Sequence, residues 1–175
     1  MTNPILSMSR LLAILSLVFM LGFFTACDED DLFQETDYST VPDAPDTSDA
    51  QHEVKLIDIG DEEKVELNIY IHEEGEGNFE VSERDMVLVR YTMRSIVNGE
   101  MEIHDSTWAN GSTSPTDLNM ATLIPGVRHG MMGMREGGER TIIIPPELGY
   151  QDDPNHELYD KKLHFHVELD QVLDD

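Results

Sequence analysis

Cysteine, cationic residues and long apolar runs are all scarce in this 175-residue sequence. A single cysteine excludes an intramolecular disulfide. Lysine and arginine number 11 against 36 aspartates and glutamates, which gives a formal net charge of −25. That charge repels phosphate backbones, so nucleic acid is not an expected partner. Hydrophobic residues still make up 39% of the chain, which is enough for one packed domain.

The longest apolar run extends from Leu11 to Phe24. It falls short of the ~20 residues that a membrane-spanning helix needs and has the length of a signal-peptide core. Small residues precede the only cysteine, Cys27, and the segment resembles a bacterial lipobox. The resemblance implies cleavage before Cys27 and lipidation of its thiol, so residues 1–26 are predicted to be a lipoprotein signal peptide. The alternative is an ordinary signal peptide or an uncleaved anchor, with Cys27 incidental.

An acidic segment follows the cysteine. Residues 28–51 contain many acids, two prolines and no lysine or arginine, a composition that cannot bury enough surface to offset chain entropy. Residues 27–63 are therefore predicted to be a lipidated cysteine with a disordered acidic linker, and residues 64–175 a folded domain. The acids next to Cys27 are typical either of a surface-export signal or of a solvated spacer. The expected location is the cell envelope, lipid-anchored to the outer membrane, with the cell surface as the alternative.

Strand periodicity becomes plain from Met86 onward. Apolar residues alternate in MVLVRYTM, and Asn98-Gly99 predicts a tight hairpin before MEIHDST returns. LIPGVRHGMMGM predicts a short helix, followed by a strand of three isoleucines and a closing strand in KKLHFHVELDQVL. Residues 52–71 are ambiguous: VELNIYI is compatible with a strand or with the end of a helix that starts near Asp61. The chain is thus predicted to hold an α+β domain with an antiparallel sheet and one short helix.

Three segments, in order, resemble the FKBP family of peptidyl-prolyl isomerases. VLVRYTMRSIVNGEMEIHDST is similar to VxVxYTGxLxDGxxFDSS, and LIPGVRHGMMGMREGGERTIIIPPELGY is similar to VIPGWxxGLxxMxxGxKxxxxIPPxLAYG. LHFHVELDQV is similar to LxFxVELLxV. The resemblance covers roughly Ile69 to Asp175. It implies an antiparallel half-barrel curled around the short helix, with a pocket between sheet and helix.

The same resemblance implies roles for individual residues. Asp105 corresponds to a buried carboxylate beside the pocket, Ile124 to a backbone N–H that reaches a substrate carbonyl, and Tyr150 to a hydroxyl that contacts the bound peptide. These three are the predicted catalytic residues. The predicted substrate-binding residues form the walls and floor of the pocket: Tyr91, His104, Leu118, Leu123, Val127 and Phe165.

Several of these positions depart from the family pattern. Val127 replaces the usual tryptophan floor, His104 stands where the family has phenylalanine, and Leu118 replaces a wall aromatic. The departures predict a shallow pocket and a weak peptidyl-prolyl isomerase that assists the folding of exported proteins. The alternative is a non-catalytic peptide-binding or chaperone module on the same fold.

No cofactor is expected, because isomerisation of an X-Pro bond needs neither a nucleophile nor a metal. His164 and His166 lie two apart on one strand, but no third ligand is evident beside them, so no metal site is predicted. The expected partners are proline-containing peptides or unfolded exported proteins, and the membrane through the lipid anchor. The protein is expected to be a monomer.

Overall fold

The computed structural model describes residues 35–173. The predicted signal peptide and Cys27 lie outside the described residues. Within them the chain forms seven strands and one α-helix: β1 Gln51–Gly60, β2 Glu63–Glu73, β3 Met86–Val97, β4 Glu100–Ser106, β5 Thr116–Asn119, α1 Pro125–Met131, β6 Glu139–Ile144 and β7 Leu163–Leu173. No helix in this part of the chain is long and apolar enough to cross a membrane.

All seven strands belong to one antiparallel sheet. Its order is β1-β2-β6-β7-β3-β4, and β5 pairs with the first residues of β3, before the stretch that pairs with β4. Asn98 and Gly99 join β3 to β4 with φ values of 54° and 88°, the positive values that a tight hairpin turn requires. The arrangement confirms the predicted α+β fold and the predicted hairpin.

One face of the sheet is apolar and packs against α1. Alternate residues of β3 and β7 point to this face, and Val87, Val89, Phe165 and Val167 are at most 4% exposed. The intervening residues point to the opposite face, called here the outer face of the sheet. This period of two is what places the predicted wall residues on the side of the helix.

The helix lies close to β6 because two of its residues carry no side chain. A Cβ at Gly126 would lie 2.3 Å from Cγ2 of Ile144, and a Cβ at Gly130 would lie 2.5 Å from Cδ1 of Ile142. Both distances are shorter than van der Waals contact allows, so any larger residue would push α1 away from the sheet. The two glycines therefore set the position of the helix, and with it that of Ile124.

A buried cation from the sheet holds the last turn of α1. Arg140 is 5% exposed, and its Nη1 donates to the carbonyls of Gly130 and Met132 at 2.9 and 3.2 Å. Nζ of Lys55 donates to the carbonyl of His129 at 3.3 Å. Carbonyls at the C-terminal end of a helix lack partners within it, and positive charge there is favourable. The sheet thus supplies the cap that the short helix lacks.

The sheet begins earlier in the chain than the sequence predicts. β1 lies inside residues 27–63, the predicted linker, and pairs with β2 along most of its length. Its Val54 and Leu56 are 46% and 62% exposed and its Ile57 is only partly buried against the core, so backbone hydrogen bonds to β2 are the main hold on this edge strand. Alternation of buried apolar residues, the sequence pattern that predicts a strand, is therefore weak in β1.

Part of the acidic segment before β1 also contacts the domain. The Tyr38 hydroxyl donates to the carbonyl of His104 at 3.1 Å, and Oγ1 of Thr40 donates to the carbonyl of Trp108 at 2.9 Å. Arg94, which is 4% exposed, donates to the carbonyl of Pro42. This segment is therefore not a disordered linker throughout, because it makes hydrogen bonds with polar groups of the domain. Composition alone does not indicate such contacts.

Candidate active site

A cavity of about 270 Å³ lies between the apolar face of the sheet and the N-terminal end of α1. Strands β3, β4, β5 and β7 contribute to its walls, and the start of α1 and the loop after β6 close it. The lining residues are Tyr91, Met93, Asp105, Leu118, Thr122, Leu123, Ile124, Val127, Tyr150 and Phe165. The fold thus brings together residues up to 74 positions apart in the chain, Tyr91 and Phe165 being the extremes.

Tyr91 and Asp105 form a polar corner of the cavity. The Tyr91 hydroxyl donates to Oδ2 of Asp105 at 2.5 Å, and the Tyr91 ring stacks on Phe165 with centroids 5.2 Å apart. Burial, followed by the hydrogen bond to Asp105, raises the pKa of Tyr91 well above its ordinary value. The hydroxyl therefore remains a donor across the physiological pH range. Together the two residues make a fixed aromatic wall that ends in a carboxylate.

Asp105 itself is exposed, whereas the family resemblance implies a buried carboxylate. It lies near the end of β4, the edge strand of the sheet, where no further strand covers it. The carboxylate is therefore open to solvent on one side while Tyr91 holds it on the other.

Ile124 precedes the first turn of α1. Its backbone is extended (φ −55°, ψ 147°), Pro125 opens the helix, and its carbonyl accepts the N–H of Arg128 at 3.1 Å. Its own N–H meets no acceptor among residues 35–173. Groups at a helix start that lack an internal partner are available to a ligand. Val127, in α1, is 3% exposed and lines the cavity at the position where the family resemblance implies the floor.

Tyr150 closes the cavity from the loop after β6. Its ring stacks on His156 with centroids 3.8 Å apart and planes inclined by 5°, which fixes the orientation of the side chain. Burial, and then the charge of Asp105, raises the pKa of Tyr150 above its ordinary value. In the described part of the chain no group bonds its hydroxyl, which is therefore a protonated donor free to contact a ligand.

Eight of the nine predicted catalytic and substrate-binding residues line this cavity: Tyr91, Asp105, Leu118, Leu123, Ile124, Val127, Tyr150 and Phe165. Their roles stay predictions. His104 is the exception, because its Nε2 is 2.7 Å from Oγ of Ser95 and it does not line the cavity. The pairing of β3 with β4 shifts between Met93 and Arg94 and skips His104, and its imidazole is directed to Ser95, two positions after Met93 on β3.

Two lining residues were not predicted as site residues. Met93 lies two positions after Tyr91 on the same strand face, so the alternation of β3 could have indicated it. Thr122 lies in a short turn before α1 and carries no periodic signal.

The order of these elements and the residues around the cavity match a known family. A model of FKBP-type peptidyl-prolyl cis-trans isomerases matches residues 77–170, more than half of the chain. The chain belongs to this family. The match begins after β2, so β1 and β2 are outside it, whereas every residue that lines the cavity of this FKBP domain is inside it.

Individual relatives agree with this assignment. A probable FK506-binding protein of Corynebacterium glutamicum is 37% identical over 84 residues, which cover 41% of this chain and 70% of the relative. A probable FKBP-type peptidyl-prolyl cis-trans isomerase FkpA of Neisseria meningitidis is 35% identical over 86 residues, covering 49% of this chain and 29% of the relative. The chain thus spans less than a third of that relative.

Solved structures show the same fold. FkpA from Escherichia coli aligns with a TM-score of 0.53 and 28% identity over 61% of this chain and 47% of that protein. A peptidyl-prolyl cis-trans isomerase from Pseudomonas syringae aligns with a TM-score of 0.52 and 24% identity, over 62% of this chain and 76% of its own. The second comparison supports the fold alone.

A larger cavity, of about 470 Å³, lies on the outer face of the sheet. Among its lining residues are Arg94, His164 and His166, which project from β3 and β7 away from α1. Burial lowers the pKa of His166 to about 4, so its imidazole is neutral near pH 7. Because the residues that match the family motifs line the smaller cavity, that cavity is the candidate active site.

Proposed function

We propose that this chain is a peptidyl-prolyl cis-trans isomerase that acts on proline-containing segments of exported proteins. The observation that carries the proposal is the cavity beside α1. It combines an apolar wall, Tyr91 stacked on Phe165, with two free donors, the N–H of Ile124 and the hydroxyl of Tyr150. A proline ring fits the apolar part, and the donors can bind carbonyls of the flanking peptide.

Such a cavity can accelerate rotation about the X-Pro bond without forming a covalent bond. The barrier of ~18–20 kcal/mol arises from amide resonance, which is lost in the twisted transition state. Without that resonance the carbonyl oxygen is less polar, so an apolar cavity disfavours the planar ground state more than the twisted state. Donors placed to hold the twisted peptide add binding that the ground state does not receive.

The floor of the cavity predicts low activity. Val127 offers less surface to a proline ring than a large aromatic side chain would. Contacts with the floor stabilise the bound ground state and the transition state alike, so their loss weakens substrate binding more than turnover.

The test is a protease-coupled isomerisation assay on the full-length chain in detergent, with an X-Pro tetrapeptide as substrate. Uncatalysed exchange takes ~10–100 s, which leaves a wide window for detecting even weak acceleration. Wild-type protein should accelerate exchange in proportion to its concentration. If neither wild type nor Val127→Trp exceeds the rate in buffer, the isomerase proposal is wrong.

A peptide-binding or chaperone module is the second candidate, favoured by the small side chain at Val127. It predicts saturable binding of proline-containing peptides, and suppression of aggregation of an unfolded protein, without acceleration of exchange. An isomerase with the same fold should show binding and acceleration together, so the two measurements separate the candidates.

We also propose that the protein is a lipoprotein of the cell envelope, held at the outer membrane as a monomer. The support is the sequence: an apolar run ends just before the only cysteine, Cys27, and acids follow it directly. A diacylated and amide-acylated cysteine would anchor the chain stably, since each buried methylene contributes ~0.8 kcal/mol. Residues 1–26 then form the signal peptide, and the anchored domain shares the envelope with exported chains.

A further inference from the structure

Three side chains with metal-binding atoms meet on the outer face of the sheet. They are His72 on β2, Glu139 on β6 and His166 on β7, and one ligand atom from each lies within 4.8 Å of the other two. Nε2 of His166 is 3.5 Å from Oε1 of Glu139, and the two imidazole rings meet edge to face with centroids 5.8 Å apart. The cluster is on the opposite side of the sheet from the candidate active site.

The strand pairing explains why these residues converge. β2, β6 and β7 are neighbours in the sheet, and the pairing of β2 with β6 shifts between Ile71 and Glu73. This irregularity leaves His72 without a direct partner and brings it beside Glu139. On the other side of β6, Glu139 pairs with Glu168, so His166 is its diagonal neighbour on the same face.

The Thr141 side chain contacts and orients the imidazoles of both His72 and His166. Its Oγ1 is 2.9 Å from Nε2 of His72 and 3.2 Å from Nδ1 of His166, and the residue is 5% exposed. The bond to Nδ1 of His166 leaves Nε2 of the same ring facing Glu139. A hydrogen bond to one ring nitrogen that aims the other nitrogen at a metal is the usual support of a histidine ligand.

We propose that His72, Glu139 and His166 bind a divalent transition metal, with Zn²⁺ as the expected ion. Two imidazole nitrogens and one carboxylate oxygen suit Zn²⁺ and disfavour Mg²⁺ and Ca²⁺, which prefer oxygen ligands alone. Bonds of about 2.0–2.1 Å to a tetrahedral ion would place the ligand atoms roughly 3.3 Å apart. The side chain of Glu139 is 32% exposed and free to make the remaining adjustment.

The fourth coordination position would face solvent-accessible space. Glu139 and His166 both line a cavity of about 190 Å³ on the outer face, together with Arg94 and Glu168. Three protein ligands with one open position bind water or an exogenous group, whereas closed structural zinc sites use four protein ligands. The site is therefore expected to accept a water molecule or a small anion as its fourth ligand.

The test is isothermal titration calorimetry of the metal-free, full-length chain in detergent with ZnCl₂ at neutral pH. Wild type should bind one Zn²⁺ saturably at this site. His72→Ala, Glu139→Gln and His166→Ala should each weaken binding by about tenfold or more, and Thr141→Val by roughly 10–100-fold, since it removes the orienting hydroxyl. His164→Ala is the matched control, because His164 lies on the same face of β7 but outside the cluster, and it should bind like wild type.

Two further measurements distinguish loss of Zn²⁺ binding from misfolding of a variant. Zn²⁺ should raise the thermal unfolding temperature of wild type and of His164→Ala, and at the same concentration should raise that of Glu139→Gln by less. Co²⁺ bound to wild type should show the visible absorption of a tetrahedral ion. Absence of saturable Zn²⁺ binding, equal binding by wild type and all the cluster variants, or an octahedral Co²⁺ spectrum would overturn the proposal. None of these readouts depends on isomerase activity.

Discussion

The Tyr91 hydroxyl donates a 2.5 Å hydrogen bond to the exposed carboxylate of Asp105, and this bond ties β3 to the edge strand β4 at the wall of the cavity. The same ring stacks on Phe165 of β7. Tyr91 therefore fixes the position of the Asp105 carboxylate relative to the ring of Phe165, although these two residues are far apart in the sequence.

Tyr91→Phe should lower kcat/KM while leaving the fold intact. The substitution keeps the ring that stacks on Phe165 but frees the carboxylate of Asp105. A hydrogen bond of this kind contributes ~0.5–1.5 kcal/mol, so a decrease of roughly two- to tenfold is expected. Tyr159→Phe makes the same chemical change at a residue that is 42% exposed and outside the cavity. Equal loss in both variants would contradict the role of the Tyr91–Asp105 bond.

Tyr150→Phe and Asp105→Ala should also lower kcat/KM, each for a separate reason. The first removes a free donor at the mouth of the cavity, and the second removes the acceptor that holds Tyr91. Circular dichroism of each variant checks that the fold persists. Wild-type kcat/KM in both would show that the cavity beside α1 is not the site of catalysis.

Val127→Trp should tighten binding of X-Pro peptides. A larger side chain on the floor restores apolar contact with the proline ring, and that contact acts on ground state and transition state alike. KM should therefore fall more than kcat changes, as measured in the isomerisation assay over a range of peptide concentrations. Val127→Ala is the paired variant and should change KM in the opposite direction; a shift of the same sign in both would rule out floor contact as the cause.

Gly126→Ala should destabilise the domain by about 1–3 kcal/mol, because the added methyl group overlaps the side chain of Ile144. Urea unfolding followed by circular dichroism measures this loss. Ile144→Ala removes the overlapping Cγ2 atom and should itself cost ~2–5 kcal/mol. The double variant should then be less destabilised than the sum of the single variants. Strict additivity would mean that close packing of α1 on β6 does not require glycine at this position.

Cys27→Ser should release the protein from the membrane fraction. Without the thiol no diacylglycerol can be attached, and residues 28–51 offer little apolar surface to replace it. Fractionation of cells with detection of the protein in each fraction gives the answer. Ser16→Ala, within the apolar run, should distribute like wild type. Membrane retention of Cys27→Ser at the wild-type level would contradict the lipoprotein proposal.

Limited proteolysis of the full-length chain should leave a stable core whose first residue lies between Thr36 and Gln51. The hydrogen bonds of Tyr38, Thr40 and the Pro42 carbonyl protect the backbone after Thr36, and β1 protects it from Gln51 onward. Mass spectrometry of the core identifies its ends. A stable core that starts beyond Gly60 would show that β1 is dispensable to the domain.

The sequence by itself determined the fold class and most of the candidate site. Apolar and polar residues alternate clearly in β3 and β7, because one face of each strand is buried. A buried face requires an apolar side chain at every second position. Asn98-Gly99 identified the hairpin because few residues adopt its positive φ values. The family motifs then placed eight cavity residues: four in strands, three in or just before α1, and Tyr150 in the loop after β6.

The tertiary structure alone decided the features that depend on pairing between strands. The pairing of β3 with β4 skips His104, whose imidazole contacts Ser95 instead of the cavity, and no local sequence pattern predicts such a bulge. β1 was not predicted because it buries little apolar surface and is held at the edge mainly by hydrogen bonds to β2. Sequence spacing suggested His164 and His166 as neighbours, yet the side chains that surround His166 come from β6 and β2, 27 and 94 residues earlier in the chain. The register between strands that are distant in the chain sets such contacts. The free energy that favours one register comes from all the residue pairs of the two strands, so no single segment of the sequence predicts it.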